Sequence, residues 1–224
     1  MLQSIFKEFI EAVRNKHLRT VKAGIDAGFK ADLKDNIGDP LLMIAVFDGH
    51  YKMCELLLKN GARPNAIGLL RKTALMWAAF VNNLKMCQLL LSYGADVRQT
   101  SEIGETALLC ATKSKGYELI KLLLSKGSNV NKKDQNGDSV LHLVIPCSNQ
   151  LVKLIIDHGA DINAVNNDGY TPLMHACLKV NLGNALILAQ AGAKFQVGHR
   201  SAWTCANQQV IRYLARNGFH VGSF

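Results

Sequence analysis

Apolar residues recur along this chain with a period of about 33 positions. One marker is a glycine that follows a run of leucine or isoleucine, and it returns as Gly28, Gly61, Gly94, Gly127, Gly159 and Gly192. A second marker lies ahead of each run and keeps the same spacing. It is usually a leucine with an alanine three residues later, as in Leu75 and Ala78. Two markers with one period predict a repeat architecture.

Each repeat is predicted to contain two short helices. A hydroxyl residue stands just before the first helix in four repeats, where it can accept from free backbone N–H groups: Thr73, Thr106, Ser139 and Thr171. The second helix carries the leucine run and ends at the periodic glycine, which tolerates a left-handed conformation. Two such helices bury too little apolar surface alone, so stability must come from stacking against neighbouring repeats.

Two motifs carry a family resemblance. Gly169–Ala176 (GYTPLMHA) and Gly159–Ala164 (GADINA) resemble the two signatures of the ankyrin repeat, and Gly94–Val97 and Gly104–Leu108 repeat them less perfectly. The resemblance covers roughly residues 4 to 218. It implies an all-α fold, an ankyrin-repeat solenoid of stacked helix-turn-helix units with β-hairpin-like loops. It says little about function, because ankyrin arrays bind very different partners.

The repeat pattern predicts one ankyrin-repeat domain over residues 1–224. Its expected units are an N-terminal cap (1–35), five repeats (36–68, 69–101, 102–134, 135–166 and 167–199) and a shortened C-terminal cap (200–224). Only twelve residues separate Ala206 from Gly218, which predicts that both helices of the last cap are clipped or merged.

Several residues depart from the repeat pattern. Pro40 replaces the capping threonine, so Asp39 is expected to cap that helix. Pro146 is expected to end a first helix early, and Gly183 and Asn184 to weaken a second helix. We therefore expect the carboxy-terminal third to be the least stable part.

Composition favours a soluble intracellular protein. The 224 residues are 49% apolar and 19% charged, which is typical of a globular chain. No apolar run approaches the ~20 residues of a membrane helix, and the amino terminus lacks the apolar stretch of a signal peptide. The six cysteines are widely spaced, which favours buried thiols in a reducing compartment and predicts no metal site. We expect a cytoplasmic or otherwise intracellular location, including delivery into a host cell if the chain is a pathogen effector.

No catalytic constellation is found in the sequence. His17 and His50 are expected to stabilise turns, and His142 and His175 are expected not to converge, because they lie one register step apart. The phosphate-binding glycine motifs are also missing. We therefore expect no enzyme, no catalytic residues, no cofactor and no metal.

The ankyrin resemblance places partner contacts on the loop tips and on the exposed ends of the first helices. These positions are usually polar, but the second repeat has Leu69-Leu70 at its loop tip and Phe80-Val81 at its helix end. Apolar patches on soluble proteins are often used for binding. The alternative is that Leu69 and Leu70 pack against adjacent loops. The candidate partner-binding residues are Ile37, Asp39, Phe47, Asp48, Leu69, Leu70, Arg71, Lys72, Phe80, Val81, Ile103, Glu105, Lys113 and Tyr170.

The charge balance bears on the partner. Twenty-six Lys and Arg against seventeen Asp and Glu give a net charge of +9, which favours an acidic partner. Nucleic acid is disfavoured, because aromatic residues are only 7% of the chain and the basic residues are dispersed. The leading hypothesis is a monomeric, non-catalytic module that binds a specific protein as an adaptor, effector or inhibitor of the immunity type. The absence of a fused domain suggests that binding is itself the function. The alternative is a charge-driven binder of a phosphoinositide or nucleic acid.

Overall fold

The computed structural model describes residues 2–220, with side chains from residue 7 onward, and these residues form two compact units. The first unit ends at Leu119 and the second begins at Ile120. The first contains α1 (Leu2–Arg14), α2 (Leu18–Asp26), α3 (Leu41–Phe47), α4 (Tyr51–Lys59), a 3-10 turn (Leu69–Arg71), α5 (Ala74–Phe80), α6 (Leu84–Ser92) and α7 (Ala107–Ser114). Helix α8 (Tyr117–Ser125) runs across the boundary. The second contains α9 (Val140–Val144), α10 (Asn149–Asp157), α11 (Pro172–Leu178), α12 (Leu182–Gln190), β1 (Gln196–Val197), β2 (Arg200–Ser201), α13 (Ala202–Cys205) and α14 (Gln208–Arg216).

The described helices follow one another in pairs, and the predicted starts of the first helices are confirmed at three threonines. The hydroxyl of Thr73 accepts from the N–H of Met76, and Thr106 and Thr171 accept in the same way from residues three positions further on. Ser139 differs, because its N–H donates to Nδ1 of His142 at 3.3 Å. The periodic glycines end the second helices as predicted, all with φ between 81° and 100°.

The core of each unit is built from the repeating apolar markers. Leu75 and Ala78 are almost completely buried, and so are their counterparts at the other repeats: Leu42, Ala45, Leu108, Ala111, Leu141, Val144, Leu173 and Ala176. Loops of successive repeats are joined by asparagine side chains. Asn65 donates to the carbonyl of Gly94 and accepts from the N–H of Asp96, and Asn131 makes the same pair of bonds with Gly159 and Asp161. These bonds hold the loop tips in place.

Two departures from the repeat pattern turn out differently from the prediction. Asp39 does not cap α3, because Pro40 is the N-cap residue and makes no side-chain cap bond. The carboxylate of Asp39 accepts instead from the N–H of Leu69 at 2.7 Å, in the next loop. In the C-terminal cap only α13 is clipped, to four residues, whereas α14 has the usual nine. The expectation that both would be shortened was wrong, because the deficit falls on α13 and its connection alone.

Pro146 shortens its helix as predicted, since α9 has five residues. Helix α12 nevertheless keeps nine residues despite Gly183 and Asn184. The loops before the first helices are hairpin-like, with isolated bridges at Lys34–Pro40, Ile67–Thr73 and Lys133–Ser139 and one short antiparallel pair, β1 with β2. Among the described residues, no helix combines the length and apolar character needed to cross a membrane.

Candidate functional site

The first unit exposes a concentration of large apolar side chains. Among the described side chains thirteen large apolar residues are exposed, and seven of them are candidate site residues: Ile37, Phe47, Leu69, Leu70, Phe80, Val81 and Ile103. We refer to these seven as the apolar surface. Leu69 is 60% exposed and Leu70 is 46% exposed. This exposure does not favour the alternative that the two leucines pack against neighbouring loops.

Trp77, which the sequence prediction missed, stands between two members of this surface. Its ring makes edge-to-face contacts with Phe47, at 5.3 Å between centroids, and with Phe80, at 6.2 Å. The ammonium of Lys72 lies 4.7 Å from the centroid of the Trp77 ring. We call Phe47, Trp77 and Phe80 the aromatic cluster. Its signal in the sequence is the spacing of three between Trp77 and Phe80, which places both on one helix face.

A groove of about 550 Å³ opens beside Phe47 and Trp77. Its other lining residues are Arg14, Asp35, Ile37, Asp39, Met43, Ile44 and Asp48. Arg14 forms an ion pair of 2.8 Å with the buried carboxylate of Asp35. The same carboxylate accepts from the N–H groups of Ile37 and Asp39 and so fixes the loop that bounds the groove. The groove is therefore preformed in the folded chain.

The loop tip of the second repeat has an unusual backbone. Leu70 and Arg71 both have φ of 55°, a left-handed conformation that disfavours residues with a β-carbon. Gly38 and Gly104 occupy the position equivalent to Arg71 in the neighbouring repeats. The loop is held on both sides, because Leu69 donates to Asp39 and the carbonyl of Leu70 accepts from the N–H of Glu102 at 2.9 Å. Strain of this kind persists only where neighbours impose it, and it is frequent at functional sites.

Three charged candidate residues, Glu105, Lys72 and Lys113, are paired with one another. Glu105 is 5% exposed and forms ion pairs with Lys113 and with Lys72, the latter at 3.2 Å. Burial alone would raise the pKa of Glu105, but the hydrogen bonds and charges of the two lysines outweigh burial and lower it. Arg71 is exposed. Arg71 can therefore serve as a charged residue at the rim of the apolar surface, whereas Lys72 is paired with Glu105 and Glu105 is buried.

Tyr170 belongs to the second unit. The guanidinium of Arg200 lies 4.3 Å from the centroid of its ring, and the ring of His175 lies 5.9 Å away. Tyr170 is therefore already covered in part by a basic residue of its own unit.

His142 and His175 meet, contrary to the sequence prediction. Their ring centroids are 5.3 Å apart with the rings perpendicular. A one-residue offset shifts a side chain by about 1.5 Å along the helix and by about 100° around it, and the two rings still reach each other between the neighbouring helices α9 and α11. Both nitrogens of the buried His142 have partners, Ser139 at Nδ1 and the carbonyl of Tyr170 at Nε2. With both nitrogens engaged, His142 is held as a structural group and not as a general base.

Four of the six thiols are buried. Burial raises the pKa of Cys54, Cys87, Cys110 and Cys177 to about 12. Thiols of this kind stay protonated and are poor nucleophiles. Within the described part of the chain, no three His, Cys, Asp or Glu residues are grouped so that they could hold a metal ion. Exposed apolar side chains are the distinctive feature of the candidate site residues.

A sequence profile of ankyrin repeats matches this chain in three overlapping copies, over residues 9–101, 42–134 and 108–199. An ankyrin repeat domain from Acinetobacter baumannii AYE is similar, with a TM-score of 0.76, 29% identity, and 84% of this chain and 98% of that chain covered. The ankyrin repeat domain of Bcl-3, a member of the IkappaB family, gives a TM-score of 0.81 and 25% identity, and covers 92% of this chain and 97% of that chain.

Two curated relatives match shorter stretches. An ankyrin repeat protein of fowlpox virus is 41% identical over 69 residues, or 30% of this chain. A Caenorhabditis elegans protein with ankyrin repeats and a LEM domain is 33% identical over 67 residues, or 29% of this chain. The matches span only 16% and 10% of the length of these relatives.

Proposed function

Because this chain belongs to the ankyrin-repeat family, we propose that it is a non-catalytic module that binds a protein through the apolar surface of its first unit. Ankyrin repeats are general protein–protein interaction modules, and the all-α ankyrin-repeat solenoid predicted from the sequence is confirmed by the family profile and the related structures.

The observation that carries this proposal is the exposure of seven large apolar side chains on the loops and first-helix ends of one unit. Contiguous apolar patches on a soluble protein are frequently interaction sites, and binding energy tends to concentrate on aromatic anchors. The aromatic cluster supplies such anchors, and the strained loop presents Leu69 and Leu70 outward instead of folding them against the protein.

The biological role is a further part of the proposal. An adaptor, an effector and an inhibitor of the immunity type would all use such a surface, and an intracellular, monomeric protein stays our expectation. The alternative, binding to a phosphoinositide or nucleic acid through basic residues, also stays a prediction. The two are separable by salt, since affinity for a phosphate backbone falls steeply with ionic strength.

The proposal is tested by pull-down from the native cell followed by affinity measurement with the captured protein. The double variant Phe80→Ala with Leu70→Ala should keep the fold and weaken binding by roughly 2–4 kcal/mol. The matched control is Tyr117→Ala with Leu178→Ala, which removes an exposed aromatic and an exposed leucine outside the apolar surface. Unchanged affinity of the first variant would exclude the apolar surface as the binding site.

A further inference from the structure

We infer that the partner segment places a large apolar side chain in the groove beside Phe47 and Trp77 and a lysine or arginine against Asp48. The inference rests on the proposed function and names the chemistry of the partner at that site. It reverses the expectation of an acidic partner drawn from the net charge.

The charges that line the groove are predominantly acidic. They comprise one arginine, Arg14, against three aspartates, Asp35, Asp39 and Asp48. Arg14 is neutralised by its ion pair with Asp35. Asp39 gives one carboxylate oxygen to the N–H of Leu69. Asp48 is exposed, and its carboxylate forms no hydrogen bond or ion pair with the side chains described between residues 7 and 220.

Local charge decides recognition here more than the net charge of the chain. Beyond about 10 Å, exposed charges are screened at physiological salt, so the distant lysines of a +9 chain contribute little to a contact in the groove. Lys72, which lies over Trp77 at the groove wall, is paired with Glu105. Lys16 and Arg71 are exposed and lie outside the lining of the groove. An acidic segment or a phosphate would meet Asp39 and Asp48 and be repelled, whereas a basic side chain would find a carboxylate that has no partner.

The apolar lining of the groove determines which apolar side chain the partner segment must supply. Phe47 is 61% exposed and stands with Trp77 at one wall, while Met43 and Ile44 line the same groove. Aromatic walls pack large side chains, and methionine adapts to their shape. The partner segment therefore combines an aromatic or leucine anchor with a basic residue close enough to reach Asp48.

The experiment selects a phage-displayed random peptide library on the full chain and measures the enriched peptides by fluorescence anisotropy. We expect enriched peptides to pair an aromatic residue or leucine with a lysine or arginine. Phe47→Ala should weaken them at least tenfold, and Asp48→Lys about tenfold. A peptide with its basic residue changed to glutamate should bind Asp48→Lys better than it binds the unmodified chain. The matched control is Asp168→Lys, which changes an exposed aspartate of the second unit. This variant should bind the enriched peptide and its glutamate version with the same affinities as the unmodified chain.

Each alternative outcome is decisive. Enriched peptides that need Phe47 but are indifferent to Asp48→Lys would overturn this inference and leave the proposed function standing. Peptides indifferent to both Phe47→Ala and the Phe80/Leu70 double variant, or no enrichment at all, would overturn both. Light scattering is run in parallel, since a dimer that Phe47→Ala dissociates would show that a second copy fills the groove and would also overturn the inference. If Asp48→Lys folds poorly, Asp48→Asn replaces it, because this variant removes the charge without reversing it. It should also weaken binding of the enriched peptides, and unchanged affinity would overturn the inference.

Discussion

At the residue scale, the backbone of Arg71 is held in a left-handed conformation that residues with a β-carbon disfavour. A left-handed backbone costs a residue with a β-carbon roughly 1–2 kcal/mol, and the repeats on either side avoid that cost with Gly38 and Gly104. The 33-residue spacing alone places Arg71 at the position of these glycines. The additional left-handed residue, Leu70, could not be foreseen, because it depends on bonds that Leu69 and Leu70 make to neighbouring loops.

Replacing Arg71 by glycine should stabilise the protein. Relief of the left-handed strain exceeds the extra chain entropy of glycine in the unfolded state, so Arg71→Gly should raise the free energy of unfolding by about 0.5–1 kcal/mol. Urea denaturation measures the change. Arg71→Ala keeps the β-carbon and should give no comparable gain, and equal stabilisation by both variants would rule out backbone strain as the cause.

Buried histidines should make stability depend on pH. Burial lowers the pKa of His142. Burial and the nearby charge of Lys16 lower the pKa of His50. Each histidine has a folded pKa below its unfolded value near 6.5, so the folded state binds fewer protons. Its contribution to stability is complete above pH 6.5 and is lost as pH falls from there through the folded pKa.

We therefore expect the free energy of unfolding to fall between pH 7.5 and pH 5, with a shallower fall in His142→Gln. The measurement is urea denaturation across that range. The variant will be less stable at all pH values, because it loses the contact with Tyr170, so the slope with pH is the informative quantity. The control is His199→Gln, which replaces a histidine at an exposed position. A His142→Gln slope equal to the original would contradict the assignment.

At the element scale, α9 and α12 of the second unit compensate for each other. Pro146 ends α9 after five residues and leaves nearby carbonyls without helical partners. The fully buried amide of Asn184 in α12 donates to the carbonyls of Ile145, at 2.7 Å, and Cys147, at 3.2 Å. Read from the sequence alone, Asn184 is simply a poor helix former. Its role depends on a hydrogen bond to Ile145, 39 residues earlier in the chain. Helix propensity describes only local preferences and cannot predict such a bond.

Asn184→Ala should lower the free energy of unfolding by about 1–3 kcal/mol, because it removes two hydrogen bonds to backbone carbonyls. The carbonyl of Cys147 loses the donor Asn184, and the carbonyl of Ile145 keeps only Asn181. Thermal and urea denaturation check the size of the loss. Asn217→Ala is the control, since it removes an asparagine that donates to a backbone carbonyl at an exposed helix end and should change stability by less than about 0.5 kcal/mol. If the two variants lose the same stability, the bonds of Asn184 have no special role.

The elements that the sequence predicted best are those set by local pattern. The helix starts at Thr73, Thr106 and Thr171 follow from a hydroxyl ahead of an apolar stretch, and the helix ends follow from glycine. The exposed apolar residues of the candidate site were found in the same way, by comparing equivalent positions. The sequence analysis missed the role of Trp77, because it depends on contact with Phe47 of the preceding repeat. It also missed the burial of Glu105, because that depends on Lys72 of the preceding repeat.

At the scale of the whole molecule, repeats support one another only through their neighbours, so the ends of the array are expected to be its weakest parts. The two ends of this chain differ. Helix α1 has thirteen residues and buries Phe9 and Val13, whereas α13 has four residues and leaves Trp203 half-buried. Helix α14 buries only Val210 and Leu214 among its described side chains.

We expect native-state hydrogen exchange to be fastest in the last cap. The amides of α13 and α14 should open with a lower free energy than those of α11 and α12, because the cap buries few apolar side chains. Helix α1 is the matched comparison, since it is also terminal but is longer and buries more. Mass spectrometry of peptides over these segments gives the order of protection. Equal protection along the chain, or α1 opening before α14, would contradict the expectation and would mean that burial within a terminal repeat does not set its local stability.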